Sequence, residues 1–437
     1  MKIVIISELS YGTGASIAAF RLAKALSDLK HDVYYIVGQN SSKIEKDSSS
    51  ITTYLLTQQH QKTLREIIFD KIQHLTEQII ISLTQKNSKS REILYQFKNY
   101  KQKTRFKFKL ENNENELRQI LETIQPDIIN LHNISTIISY RGVLSLGTKF
   151  PLVWTLHDCF PVTGYHYKFI NPNQQEIITL GIAPQLINIK KSINSLINAS
   201  CNLIFVAPSE WLASLASNQL QGKKLVQVIP NGLSSIDFFP EDQKQSRLNL
   251  GLNPEKFYLL VFASNLKYER KNNQLILENL KRINELSIEV IACGQVDQDF
   301  SEQYPSIHLF EPIFNLQKIR QLYAAADIFL IPSLIDNLPN TVLESLFCGT
   351  PVLGANVGGI PEMVIEGQTG WLFDPYSGDN LITILNHIYQ QRQQLPQIRQ
   401  QCFNWVQEHY SIEQQVQAYL QLFQTMITSS VKSIQSK

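Results

Sequence analysis

The chain is predicted to form two Rossmann-like, doubly wound α/β domains, and three observations predict them. Short apolar runs alternate with longer segments of helical periodicity along most of the sequence. The runs are rich in Val and Ile and unbroken by polar residues, as in parallel strands covered on both faces. Eleven such runs in 437 residues are too many for one sheet and suit two doubly wound ones.

In the first half the runs are Ile3–Ile6, Val33–Val37, Ile128–Leu131, Leu152–Leu156, Leu203–Val206 and Val226–Ile229. In the second half they are Phe257–Phe262, Ile288–Cys293, Ile307–Phe310, Ile328–Ile331 and Pro351–Leu353. The joint is expected at Pro230-Asn231-Gly232, a turn signal after a strand, running on to the polar stretch Glu241–Arg247. That gives a first domain over 1–235, a second over 236–408, and a final helix and tail over 409–437. The final helix is expected over Tyr410–Ile427, with Ser411 and Gln414 as a capping-box start and a frayed tail from Ser429.

Residues 40–115 interrupt the alternation. They are polar and carry apolar residues at helical spacing (Leu64, Ile67, Ile68, Ile72, Leu75), so they read as helices inserted into the first domain. Within them, segment 86–109 is dense in Lys and Arg, with Glu92 as its one acid and Tyr95, Phe97, Tyr100, Phe106 and Phe108 interleaved. It reads either as a solvated helix with snorkelling lysines or as a patch that sits on an anionic membrane surface. RNA binding is a weaker third option.

Apolar residues at 43% and charged residues at 18% exclude a disordered chain. A net charge of +2 gives no global reason to expect nucleic acid as a partner. Five widely spaced cysteines without a C-x-x-C pair argue against a disulfide framework or a zinc site and fit a reducing cytoplasm. The opening MKIVIISEL reads as a buried strand rather than a signal peptide, and no run of 18 apolar residues occurs to span a membrane.

Candidate chemistry lies at strand ends. Gly12-Thr13-Gly14 joins the first strand to a helix, where backbone amides approach an anion, although the pair does not complete G-x-G-x-x-G. His157 stands just past the strand Leu152–Leu156, with His166 and Tyr167 in the loop beyond; His132 follows another strand end. Arg270 and Lys271 are adjacent cations after the first strand of the second domain, which read either as a solvated loop or as a pair that can neutralise a diphosphate leaving group. The densest constellation runs from Pro332 to Glu344. Asp336 lies in its loop, a helix is expected to start near Asn340, and Glu344 sits in the second turn. Amides at that start suit phosphate, and the two carboxylates suit hydroxyl pairs at opposite ends of one ligand.

The Asp336–Glu344 block, Gly358-Gly359-Ile360-Pro361-Glu362, Ala207-Pro208-Ser209-Glu210-Trp211 and Ile229-Pro230-Asn231-Gly232 together resemble a GT-B glycosyltransferase of family 4. The resemblance covers nearly the whole chain apart from 40–115 and the tail. His157-Asp158 with Thr163–Tyr167 resembles a subgroup associated with extracellular and capsular polysaccharide assembly. The resemblance implies two domains facing across a cleft and closing over the donor, the first for acceptor and the second for donor. It implies a retaining enzyme with a nucleotide-diphosphate sugar as substrate and no separate cofactor. Its acceptor would be lipid-linked or a glycan, and its location cytoplasmic, at the inner face of the plasma membrane if 86–109 meets lipid.

By position, the resemblance implies that Gly14 lies near the donor phosphates and that His157 contacts the transferred sugar. Arg270 and Lys271 would hold the diphosphate, Asp336 would touch sugar hydroxyls, and the amides of Asn340, Thr341 and Val342 would cap the phosphate. Glu344 would bind the ribose, the loop around Ile313 would meet the base, and the final helix would cross back onto the first domain. The sequence departs from the family pattern in three places: Asp336 replaces the usual Glu, Ser264-Asn265 replaces Gly-Arg, and Lys271-Asn272 replaces Lys-Gly. Asp297-Gln298-Asp299 matches a metal motif of a different transferase fold and reads here as coincidence, so no metal is expected. The competing readings are a non-catalytic scaffold of the same shape and a nucleotide-sugar epimerase. A dinucleotide dehydrogenase is disfavoured by the incomplete glycine fingerprint.

Overall fold

The computed structural model describes residues 1–10, 12–39, 51–56, 110–163, 184–199, 201–266 and 269–435. The helical reading of 57–109, the basic segment 86–109, and His166 and Tyr167 lie outside the described residues. Each of the eleven apolar runs coincides with a strand. The first sheet contains β1 (Lys2–Leu9), β2 (Asp32–Gln39), β3 (Thr52–Leu55), β4 (Ile128–Leu131), β5 (Leu152–Thr155), β6 (Leu203–Ala207) and β7 (Val226–Val228). Its order is β3-β2-β1-β4-β5-β6-β7. The second contains β8 (Phe257–Asn265), β9 (Ile288–Gln295), β10 (Ile307–Phe310), β11 (Ile328–Ile331), β12 (Val352–Ala355) and β13 (Gly370–Phe373), in the order β10-β9-β8-β11-β12-β13. All five pairings in the second sheet are parallel. Both orders reverse beside the first strand of the sheet, the doubly wound arrangement, and every residue of Ile3–Ile6 and of β11 is buried.

By chain packing, the residues divide into one compact unit of Met1–Trp154, Asn198–Leu203 and Met426–Lys437, and another of Thr155–Ile197 and Ile204–Thr425.

The structure corrects three expectations. Residues 40–115 are not all helical: β3 pairs in parallel with β2, Tyr34 opposite Thr52 through Val37 opposite Leu55, and a helix covers 110–124. The polar stretch Glu241–Arg247 is no simple linker, because Gln243–Asn249 is a helix capped by Asp242, whose carboxylate accepts the Gln245 amide at 2.7 Å. The tail does not fray at Ser429. The capping box of Ser411 and Gln414 forms, with both bonds at 3.4 Å, but the helix Ile412–Gln435 runs on. Met426 is buried, the Ser430 hydroxyl donates to its carbonyl at 2.8 Å, and Asn202 donates to Ser430.

Arg247 ties its helix to the second sheet. Its guanidinium donates to Asp327 Oδ2 at 2.7 Å and to the carbonyls of Ala325 and Pro254, each at 2.8 Å, while the Tyr258 amide donates to the same carboxylate oxygen at 2.7 Å. Asp327→Ala would leave a buried guanidinium and a buried amide without their acceptor, so it is expected to destabilise the fold by about 3–5 kcal/mol in chemical denaturation. A loss below about 1 kcal/mol would mean that the cluster is not the anchor its geometry indicates.

Among the described residues, no helix is long and apolar enough to cross a membrane. All five cysteines are free thiols.

Candidate functional site

The site forms where the order of the second sheet reverses. Strand β8 lies between β9 and β11, and open α/β sheets present ligand groups at the carboxyl ends of the strands beside such a reversal. The loop after β8 passes through the single turn Glu269–Lys271 into the helix Gln274–Glu285. The loop after β11 leads into the helix Asn340–Phe347.

These two loops bring three predicted residues together. Lys271 Nζ donates to Asp336 Oδ2 at 2.6 Å, and Arg270 Nη1 lies 3.4 Å from the same oxygen. Arg270 Nη1 also donates to the Ile335 carbonyl at 2.8 Å, and the Leu334 amide donates to the Arg270 carbonyl at 2.9 Å, so the loops are stitched along their length. Ser333 Oγ donates to Asp336 Oδ2 at 3.2 Å, and the Asn337 amide to Oδ1 at 3.2 Å. Burial pushes the Asp336 carboxyl upward, but Lys271 and Arg270, with hydrogen bonds from Lys271 and Ser333, outweigh it and hold the group below its ordinary value. Asp336 is therefore a carboxylate at neutral pH, and its charge sets the positions of both cations.

The approach of the loop at 358–359 demands glycine. Gly358 has φ +60°, and a Cβ there would lie 1.9 Å from the Asp336 carbonyl oxygen; a Cβ on Gly359 would lie 2.0 Å from that of Asn337. The Gly359 amide donates to the Asp336 carbonyl at 3.1 Å.

Glu344 lies in the second turn of Asn340–Phe347 and is buried. The hydroxyl of the fully buried Tyr323 donates to its Oε2 at 3.2 Å. Burial, reinforced by the Glu344 charge, holds the Tyr323 phenol well above its ordinary value, so it stays a donor. The predicted row of three phosphate-facing amides needs correction. Pro339 caps the helix without a side-chain bond, and the first turn closes tightly, with the Val342 amide donating to the Pro339 carbonyl at 3.0 Å. Asn340 and Thr341 occupy that first turn, and Asn340 Oδ1 accepts from Asn231 at 3.5 Å.

His157 follows β5 and is half-buried. Burial pushes its imidazole down to about 4, against an opposing pull from Asp158, so the ring is neutral near pH 7 and acts as a hydrogen-bonding group, not as a cation. Its folded value lies below the ordinary value of about 6.5. Between about pH 6.5 and about pH 4 the unfolded chain takes up a proton that the folded chain does not, so stability falls as pH drops through that window. His157→Gln is expected to flatten that slope in denaturation curves measured at pH 4–7. An unchanged slope would show that the folded-state ring titrates normally.

Gly14 is the first residue of the helix Gly14–Asp28, which Thr13 and Ser16 close by a reciprocal capping box. His132 is buried after β4, and its amide donates to the Ile6 carbonyl at 2.9 Å. Ile313 lies in the loop after β10, half-buried against the core of the second unit.

Four residues beside the site were not foreseen. Besides Tyr323, Ser209 Oγ donates to Asn337 Oδ1 at 2.5 Å, Asn337 Nδ2 donates to the His157 carbonyl at 3.5 Å, and Glu362 accepts the amides of Glu210 and Trp211. Ser209 and Glu362 lie in motifs that carry the family resemblance, which was the available signal; the helical pattern around Tyr323 carries none.

Residues 12–235 match the family model described as Glycosyltransferase Family 4, and residues 258–391 match the one described as Glycosyl transferases group 1. The sulfoquinovosyl transferase SQD2 of Arabidopsis thaliana is 24% identical over 62% of this chain and 51% of its own length. The N-acetyl-alpha-D-glucosaminyl L-malate synthase of Bacillus anthracis is 23% identical over 56% of this chain and 61% of its own. The chain thus spans about half to three-fifths of the length of these curated relatives. Among solved structures, sucrose-phosphate synthase from Thermosynechococcus elongatus superposes with a TM-score of 0.69 at 16% identity, covering 98% of this chain and 99% of that one. Anabaena HepE, solved with UDP-glucose, gives 0.64 at 17% identity, covering 99% and 100%. The fold is the two-domain, Rossmann-like GT-B fold.

Proposed function

The chain belongs to glycosyltransferase family 4, and from that premise we propose that it moves a sugar, with retention of configuration, from a nucleotide-diphosphate sugar to a lipid-linked or glycan acceptor in cell-surface glycan synthesis. The observation that carries the proposal is the convergence of Lys271 and Arg270 on Asp336, with Lys271 at 2.6 Å, at the switch point of the second sheet. Two cations held there by a carboxylate are placed to take the charge that builds on a departing diphosphate. Support for a nucleotide sugar comes from the family itself and from HepE, a likeness in fold that was solved with UDP-glucose.

In this reading the bond between the anomeric carbon and the diphosphate oxygen breaks, and its electrons pass to the diphosphate. The acceptor hydroxyl oxygen attacks the same face, and its proton passes to a leaving phosphate oxygen. Lys271 and Arg270 hold the diphosphate, with the amides of Asn340 and Thr341 along it. Neutral His157 and ionised Asp336 bind hydroxyls of the transferred sugar, Glu344 binds the ribose hydroxyls and the loop at Ile313 meets the base. No pair of carboxylates flanking the anomeric carbon, as in a glycosidase, is invoked. The basic segment 86–109 would bring the enzyme to the anionic inner face of the plasma membrane.

Proton NMR of the reaction products tests the stereochemistry. An α-linked donor is expected to give an α-linked product, or an α-sugar first when water is the acceptor. An inverted anomer would overturn the front-face mechanism.

A further inference from the structure

We propose that Glu362 is a positioning residue: it grips the N-terminus of the helix Glu210–Leu220 and, through Ser209 and Asn337, fixes where His157 stands relative to Asp336. The proposal rests on the transferase reading for its kinetic consequence and on geometry alone for the grip.

The Glu362 carboxylate accepts the Glu210 amide at 2.9 Å through Oε2 and the Trp211 amide at 2.8 Å through Oε1. Ser209, the cap of the same helix, accepts the Leu212 amide at 3.1 Å. The first three amides of the helix thus all have side-chain acceptors, two of them supplied by one carboxylate about 150 residues away in sequence. An anion at this end of a helix is favoured both by the unsatisfied amides and by the helix dipole, and a two-oxygen grip fixes orientation as well as distance.

The grip leads directly to the site. Ser209 Oγ, buried, donates to Asn337 Oδ1, and Asn337 Nδ2 donates to the His157 carbonyl at 3.5 Å. The Asn337 amide binds Asp336 Oδ1 at 3.2 Å. One asparagine therefore touches the cap of the gripped helix, the backbone of His157 and the carboxylate of Asp336. Glu362 itself is held from behind, because Tyr410 Oη donates to its carbonyl at 3.1 Å. Gly358 and Gly359, which begin the same short turn, press against the carbonyls of Asp336 and Asn337. Moving Glu362 would thus loosen the register on which the sugar-contacting groups depend, while the stitching of Arg270 to Ile335 and Leu334 stays in place.

The test compares Glu362→Ala and Glu362→Gln with Asp242→Ala, which removes a helix cap outside the network. The first readout needs no substrate: the His157 imidazole titration followed by NMR. Glu362→Ala is expected to move that titration from about 4 toward the ordinary value, with loss of hydrogen-exchange protection at the Glu210 and Trp211 amides. Glu362→Gln, which keeps one acceptor oxygen, is expected to fall between it and the wild type, and Asp242→Ala to leave the titration unchanged. The second readout is turnover. Glu362→Ala is expected to lower kcat by a factor on the order of 10–100 with donor KM within about twofold, since misplacement of about 1 Å costs rate more than binding. A His157 titration unaffected by Glu362→Ala, or a titration moved equally by Asp242→Ala, would overturn the proposal. So would a kcat within twofold of wild type. If the wild-type protein turned over no nucleotide sugar, the transferase reading would fail, and the titration would still decide the grip.

Discussion

Replacing Lys271 by Ala is expected to lower turnover by a factor on the order of 10²–10³, the largest effect of any single side chain in the site. Lys271 forms the shortest contact to Asp336, at 2.6 Å, and Arg270 stands farther off at 3.4 Å while also bonding the Ile335 carbonyl. Without the ammonium, Asp336 keeps one distant cation, and burial then favours its protonation. Two functions fail together: the cation beside the leaving diphosphate and the charge on the acid that binds the sugar. Lys271→Arg is expected to recover part of the rate, because the charge returns on a different geometry. Steady-state kinetics with the same donor check both variants. A Lys271→Ala enzyme within threefold of wild type would remove Lys271 from the diphosphate site.

Gly358→Ala is expected to cost about 1–3 kcal/mol of stability and at least tenfold in turnover. The backbone at 358 is in the left-handed region, and the new methyl would sit 1.9 Å from the Asp336 carbonyl oxygen, a distance no rotamer relieves because the backbone fixes the position of a Cβ and the oxygen is itself backbone. Either the loop carrying Asp336 moves away or the turn at 358–362 does. Both outcomes displace Asp336 from Lys271, or Glu362 from the amides of Glu210 and Trp211. Denaturant titration and kinetics on the same sample separate the two losses. Wild-type rates together with wild-type stability would mean that the two loops do not pack as closely as described.

Much of the fold was legible because its strands are buried on both faces. A run such as Ile3–Ile6, entirely inaccessible to solvent, leaves a continuous apolar signature that needs no partner to be recognised. The two unforeseen strands lack it. Strand β3 reads Thr-Thr-Tyr-Leu at the sheet edge, largely exposed, and it lies in a polar stretch whose periodicity elsewhere pointed to helices. Strand β13 is Gly-Trp-Leu-Phe at the edge of the second sheet, beside β12, with a glycine at its start and none of the Val and Ile that mark the other runs.

The site divides in the same way. Arg270, Lys271, Asp336 and Glu344 were legible because strand ends and helix starts mark where an α/β sheet presents ligand groups. Their mutual geometry was not. That Lys271 bonds Asp336, 65 residues away, follows from strand order, which one sequence does not display. The contacts of Glu362 with Glu210 and Trp211, and of Ser209 with Asn337, span still longer separations. The Val342 amide was misread for a local reason: Pro339, as the cap, offers no side-chain acceptor, so the first turn closes on its carbonyl.

Binding of a panel of nucleotide-diphosphate sugars, followed by thermal shift, tests the central claim most directly, with Lys271→Ala and Glu344→Ala beside the wild type. A ligand that binds only the native state raises the melting temperature by mass action. The account predicts a shift with at least one donor, reduced in Lys271→Ala and in Glu344→Ala. A donor-induced shift that survives intact in both variants would place the nucleotide sugar elsewhere and contradict it.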